Sequence, residues 1–371
     1  PTRFARLRSG VGILALAMLV AVLSACGTDD PVATPLEGRS EFSQTRLVAG
    51  GDHGVEHVLA DELILWGGRR GTGAATMSVN TGWHYDSATG TWRAMAPSPL
   101  APRWGHMAFM HRGELHVIGG VGHVDGAAWN PRTNQWRLLP LALPAVSQGF
   151  DVEAVWDGRR VVLWNRSSGQ VWVWTPGGPE DTITVWRALP ELVVPDLFGS
   201  SLVATEWGIV ALADTPQRLE QRAVRLWLLQ DDGWRRLADA DFTAAGVGLI
   251  EVENHAWVAD RLIVWNGDVT AGATLVLREP WGTWGRGDPP VVPGCEASHL
   301  PAVVGQEEQP MVLAHDFCGD AAVFDVFLGT WRTIALPPGA TDAVPFQLND
   351  NTTWTIDESG VLQELDLSAT G

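Results

Sequence analysis

The chain has 371 residues, 46% hydrophobic and 18% charged, with 25 basic against 43 acidic residues and a formal net charge of −18. That composition can bury a sizeable core, as one large domain or two ordinary ones. A surface so acidic repels polyanions at long range, which argues against nucleic acid as a partner.

In chain order, the first element is a targeting segment. Arg3, Arg6 and Arg8 form a positive start, and residues 11–25 are an apolar run too short for a comfortable membrane span. It ends in Leu23-Ser24-Ala25-Cys26, which resembles a bacterial lipobox, where cleavage precedes a lipidated cysteine. Residues 1–25 are therefore expected to be a lipoprotein signal peptide and Cys26 the acylated residue. Acylation would place the protein outside the cytoplasm, anchored to the cell or outer membrane through lipid alone. Residues 26–40, polar with Pro and Gly, read as a flexible tether.

From residue 41 onward the sequence repeats. Short apolar runs rich in β-branched residues recur at 63–66, 115–118, 161–164, 209–212, 262–265, 311–314 and 353–356. Most are followed by an aromatic–Trp pair seven residues apart: Tyr85/Trp92, Trp129/Trp136, Trp227/Trp234 and Phe324/Trp331. Leu277/Trp284 keeps the spacing with an aliphatic first member, and Trp174/Trp186 exceeds it by five residues. Turn residues between apolar anchors signal a β-hairpin. One unit is thus four strands in about 50 residues, a period that means propellers or solenoids.

The unit resembles a kelch repeat: an apolar strand, Gly-Gly, an aromatic, then Trp. Gly67-Gly68 and Gly119-Gly120 match the diglycine, and later repeats depart from it. The resemblance implies an all-β, seven-bladed propeller of four-stranded blades over residues 41–371, with six or eight blades as the alternative. The seventh repeat lacks an outer strand, so residues 40–48 are expected to supply it, with Phe42 in the Trp position, joining both termini in one closing blade. Kelch-type propellers host unrelated functions, so the ligand stays open.

In a propeller, the loops between strands two and three and those between blades share one face. The candidate binding residues on that face are Arg69, Arg70, Arg103, Trp104, His106, His123, Asp268, His299, His315 and Asp316. Trp104, beside Arg103, is the best sugar-stacking platform among 20 tryptophans, most of which hold repeat positions. Seven of ten histidines fall within residues 53–123, but their spacings match no ligand motif, so no metal or other cofactor is expected. "RWGHMAF" resembles the Arg-x-x-His at kelch strand starts, where these residues structure the loop. Copper of the galactose-oxidase type needs tyrosine ligands that a chain with one Tyr cannot supply. Hydrolase signatures are missing. Cys295 and Cys318, the cysteines left once Cys26 is lipidated, fall in neighbouring loops of one face and are expected to form a disulfide after export. The reading that follows is a monomeric, non-catalytic binding or scaffold propeller recognising an envelope protein or glycan. The alternative is a carbohydrate-active isomerase or lyase using groups such as Asp268, His106 and His299.

Overall fold

In the computed structural model, the structure describes residues 55–59, 62–70, 77–86, 89–140, 152–177, 186–195, 199–214, 223–245, 254–267, 272–290, 302–306, 309–315, 321–336, 346–347, 353–356 and 362–367. Almost every regular element is a β-strand, and one short 3-10 turn, Thr243–Ala245, is the exception among the described residues. The apolar runs of the repeat become second strands. They are rich in Val, Ile, Leu and Trp because both faces of these strands are covered. Leu63, Ile64, Val161, Val162, Leu212, Ile263 and Val312 are all fully buried.

Six antiparallel sheets have four strands or more. Blade one is Val55–Leu59, Glu62–Trp66, Gly82–Asp86 and Thr91–Ala94. Blade two is Met107–His111, Glu114–Ile118, Gly126–Asn130 and Gln135–Leu138. Blade three is Val152–Trp156, Val161–Asn165, Val171–Trp174 and Arg187–Leu189. Blade four is Gly199–Thr205, Gly208–Asp214, Ala223–Gln230 and Gly233–Arg236, with Ala240–Asp241 continuing the outer edge. Blade five is His255–Val258, Arg261–Gly267, Gly272–Leu277 and Gly285–Gly287. Blade six is Ala302–Gln306, Gln309–His315, Ala321–Asp325 and Thr330–Ile334. The first strands of successive blades neighbour one another, so each is the inner strand of its blade. This is a β-propeller.

The described residues show six blades, the alternative expectation, and do not support seven. Among the described residues the C-terminal repeat forms a three-stranded sheet, Phe346–Gln347, Thr353–Ile356 and Leu362–Glu364. Residues 40–48, on which closure was built, lie outside the described residues, as do the targeting segment, the tether and Cys26.

The core is a series of wedges between neighbouring sheets. One wedge joins Ile64, Trp66 and Leu100 of blade one to Leu115, Val117 and Trp129 of blade two. The later wedges repeat that arrangement down the chain. The repeat tryptophans fill these wedges and also stitch them. Trp136 Nε1 donates to Ala96 O of blade one at 2.9 Å. Trp234 Nε1 donates to Pro190 O behind blade three at 3.0 Å, and Trp284 Nε1 to Ala238 O behind blade four at 3.0 Å. Each bond runs from one blade back to its predecessor. Trp331 does the same through a side chain, donating to the buried Thr274 Oγ1 of blade five at 2.7 Å. Trp186 breaks the series: its Nε1 is buried without a hydrogen-bond partner among the described residues, and its hairpin carries the five extra residues.

The seven-residue spacing has two structural meanings. Tyr85, Trp129 and Phe324 sit directly opposite Trp92, Trp136 and Trp331. In blade four the hairpin turn is two residues shorter, so Trp227 faces Arg236 and Trp234 faces Leu229. Trp227 is then covered by the Arg236 guanidinium, 4.5 Å from the ring centroid.

Candidate functional site

The loop entering blade two, Arg103-Trp104-Gly105-His106, threads between the two diglycine corners. Arg103 is 1% exposed. Its Nη1 donates to Gly119 O at 2.9 Å and lies 2.8 Å from Asp125 Oδ1, while Nε donates to Ala101 O at 3.0 Å. The backbone of the same loop accepts from Gly68 N at 3.0 Å and from Val121 N at 3.0 Å. The diglycines are needed here for space as well as conformation. Gly67 has φ +72, and a Cβ on it would lie 2.7 Å from His106 Cε1. Gly120 has φ +110, and its Cβ would lie 3.1 Å from Trp104 O.

The expected binding residues therefore divide. Arg103 and His106 are buried in the loop framework: His106 packs edge-on against Trp66, with ring centroids 4.9 Å apart. Trp104 is also buried, and the Arg69 guanidinium covers its ring at 3.4 Å from the centroid, occupying the face a sugar would stack on. Arg69 and Arg70 pair with Met77–Ser78 as a small ladder instead of an irregular loop. His123 is half-buried in the blade-two loop, where its N–H donates to Gly120 O at 2.9 Å. Asp125 carries opposed influences. Burial pushes its carboxyl up, but the hydrogen bond and charge of Arg103 outweigh this and hold it below the usual range. His315 ends a strand of blade six, which runs further than its apolar core suggests. Asp268, His299, Asp316, Cys295 and Cys318 lie outside the described residues, and with them the expected disulfide.

A second group on the same face is brought together by the fold. Glu153, from the inner strand of blade three, accepts from Ser200 Oγ of the next inner strand at 2.9 Å. Arg166, from the loop after blade three's second strand, reaches Ser200 Oγ at 3.5 Å and Glu153 Oε1 at 3.9 Å. One blade on, Ser201 Oγ lies 3.4 Å from His255 Nε2. Beside it Asn254, 2% exposed, has a buried Oδ1 without a hydrogen-bond partner. All but Arg166, which follows the end of a second strand, sit where inner strands begin, at the loop-face end of the blades. Arg166 and His255 lie where a strand of the apolar repeat meets its loop, so their polarity is visible in the sequence. Glu153, Ser200 and Ser201 were not legible, because each lies inside a strand-like segment and finds its partner 34 to 54 residues away. Strand alternation points the consecutive Ser200 and Ser201 to opposite faces, toward Glu153 of blade three and His255 of blade five respectively.

Chemically, one group offers a carboxylate, a guanidinium and a hydroxyl within 4 Å of one another, and the next inter-blade position a hydroxyl and an imidazole. That set can donate to and accept from a hydroxyl-rich ligand, and a Ser–His contact is a starting geometry for proton transfer. Among the described residues, no group of three His, Cys, Asp or Glu side chains could hold a metal ion.

The fold makes this chain a β-propeller protein. No family model matches it, and no curated protein does. Solved structures resemble it distantly. YjhT shares 14% identity at a TM-score of 0.46, over 63% of this chain and 84% of that one. A candidate 6-phosphogluconolactonase from Bacteroides uniformis shares 13% at 0.46, over 74% and 80%. Another from Bacteroides fragilis shares 10% at 0.49, over 83% and 94%. Likeness that distant carries neither ligand nor chemistry across. The propeller architecture rests on the sheets themselves; membership of the kelch family is not established.

Proposed function

We propose that the chain is a kelch-type, lipid-anchored, extracytoplasmic propeller that recognises a glycan or protein of the cell envelope at the mouth of its channel. The Glu153–Ser200–Arg166 cluster, with Ser201 and His255 beside it, supports this reading. Those groups match the donors and acceptors of a polar ligand. All stand on strands except Arg166, which follows one directly, so little ordering is lost on binding. The anchor rests on the "LSAC" sequence at Cys26.

The test pairs two measurements. Fractionation of cells expressing the protein and Cys26→Ala should place the first with membranes and the variant in the soluble fraction; identical soluble partitioning removes the anchor. Envelope polysaccharides and surface proteins are then screened for binding to the full chain in mild detergent. Glu153→Gln and Arg166→Ala should each weaken the strongest binder about tenfold, roughly the worth of one charge-assisted hydrogen bond. Unchanged affinity in both variants would remove the channel mouth as the site.

The contact between Ser201 and His255 favours one second reading, a carbohydrate-active isomerase or lyase with His255 as general base. In that case His255→Gln abolishes turnover of the bound glycan while leaving its affinity within a few fold.

A further inference from the structure

We propose that a groove between the outer hairpins of blades five and six, on the face opposite the channel-mouth loops, binds a small acidic sugar through its carboxylate and ring. The groove is a cavity of about 310 Å³, at the small end of the range of small-molecule sites, about 300–1,000 Å³. Arg278, Trp284 and Arg286 line one wall, and Val326, Phe327 and Leu328 the other.

Its walls are fixed. Asp288 N–H donates to Gly329 O at 2.8 Å, tying the end of blade five's outer strand to the turn of blade six. The approach depends on glycine: a Cβ on Gly287 would meet Gly329 O and the Phe324 ring, each at 3.0 Å. Trp284 is oriented by its bond to Ala238 O. Phe327 is 49% exposed and Leu328 74%, so apolar surface is presented and not buried.

The charge is also in place. Arg278 and Arg286 are exposed and make no hydrogen bond or ion pair among the described residues. Arg261 stands behind Phe327, 4.8 Å from its ring centroid, with Nη1 bonded to Val326 O at 2.7 Å. Burial, and then the positive charge of Arg278, push the Arg261 guanidinium down. Guanidinium charge is therefore gathered here on a chain whose net charge is −18. One carboxylate, Glu279, shares the lining. Arg286 is also within electrostatic reach of Asp241, but both guanidiniums keep their donors free of hydrogen bonds among the described residues. Such donors recognise a carboxylate with bidentate geometry, and an indole beside an exposed phenyl ring accepts the apolar face of a pyranose. A bare anion would use only the first of these features and a neutral sugar only the second.

The site lies at the opposite end of the blades from the channel mouth and does not depend on the function proposed there. Calorimetric titration of the full chain in mild detergent uses glucuronate, glucose and inorganic phosphate as probes. Glucuronate should bind saturably, with glucose and phosphate each at least tenfold weaker. Arg278→Ala with Arg286→Ala should weaken glucuronate at least tenfold without moving the thermal transition. Glu279→Gln, which removes the lining carboxylate, should tighten glucuronate about threefold, and this variant decides the case if the double variant fails to fold. No glucuronate binding, equal binding of glucose or phosphate, unchanged affinity in the folded double variant, or no tightening in Glu279→Gln would each overturn the assignment.

Discussion

Replacing Arg103 by alanine should unsettle the joint between blades one and two while leaving every strand sequence intact. The side chain is buried, and truncation removes three interactions: the donor to Gly119 O, the donor to Ala101 O and the ion pair with Asp125. Breaking a buried ion pair from one side costs about 3–5 kcal/mol. The Asp125 side chain is 50% exposed and can be rehydrated, so its share is discounted and about 3 kcal/mol is expected. Unfolding entropy of about 2 cal/mol/K per residue over a domain of this size gives a fall in Tm of about 4 °C. Scanning calorimetry measures it, and pH supplies the internal control. Asp125 titrates below its unfolded value because of Arg103, so the pair contributes above the unfolded carboxylate pKa. That contribution is lost as pH falls through the lower folded value. The gap between wild type and Arg103→Ala should therefore narrow from pH 7 toward pH 3. A Tm within 1 °C of wild type, or a gap that ignores pH, would refute the keystone role of Arg103.

His116 is lowered to about 4 by burial first, then by the charges of Arg137 and His111, with Glu114 opposing. The unfolded chain then takes up this proton below about pH 6.5 and the folded chain does not. Stability is lost as pH falls from about 6.5 to about 4, by about 3 kcal/mol in all. His116→Phe should remove most of that slope in urea titrations at pH 7 and pH 4.5. Gly67→Ala meets both a positive φ and His106 and should cost at least 2 kcal/mol, whereas Gly113→Ala, at φ +75 with nothing within 4 Å, should cost about 1; equal effects in thermal melts would deny the close packing at Gly67. Trp331→Phe leaves Thr274 Oγ1 buried without its donor and should cost about 1–3 kcal/mol beyond the lost ring area, visible as a shifted urea midpoint.

The fold was legible because its signals are local. A β-branched run such as 161–164 and the anchors Tyr85 and Trp92 specify a strand and a hairpin within a few residues. Strand ends were less legible: His315 reads as a loop residue, yet it closes a strand. The hydrogen-bonding ladder runs on past the last apolar side chain. The count of seven blades, which the described residues do not support, rested on a pairing between residues 40–48 and the C-terminal repeat, which no local pattern encodes. The candidate site divides along the same line. Arg103 and His106 were visible as polar residues in a loop, but their burial follows from diglycine corners belonging to two different blades. Ser200 looks like strand filler until the fold sets it against Glu153.

The tryptophan stitches have a direction, and direction matters while the protein is being made. Trp136, Trp234, Trp284 and Trp331 each reach toward a blade earlier in the sequence. A polypeptide released N-terminus first can therefore dock each new sheet on a finished neighbour, using acceptors already in place. None of these four tryptophans waits for a later sheet to satisfy its indole, so nascent blades spend little time with that polar group and its wedge exposed. Trp186, the unstitched member, marks the step at which this vectorial assembly has no such latch.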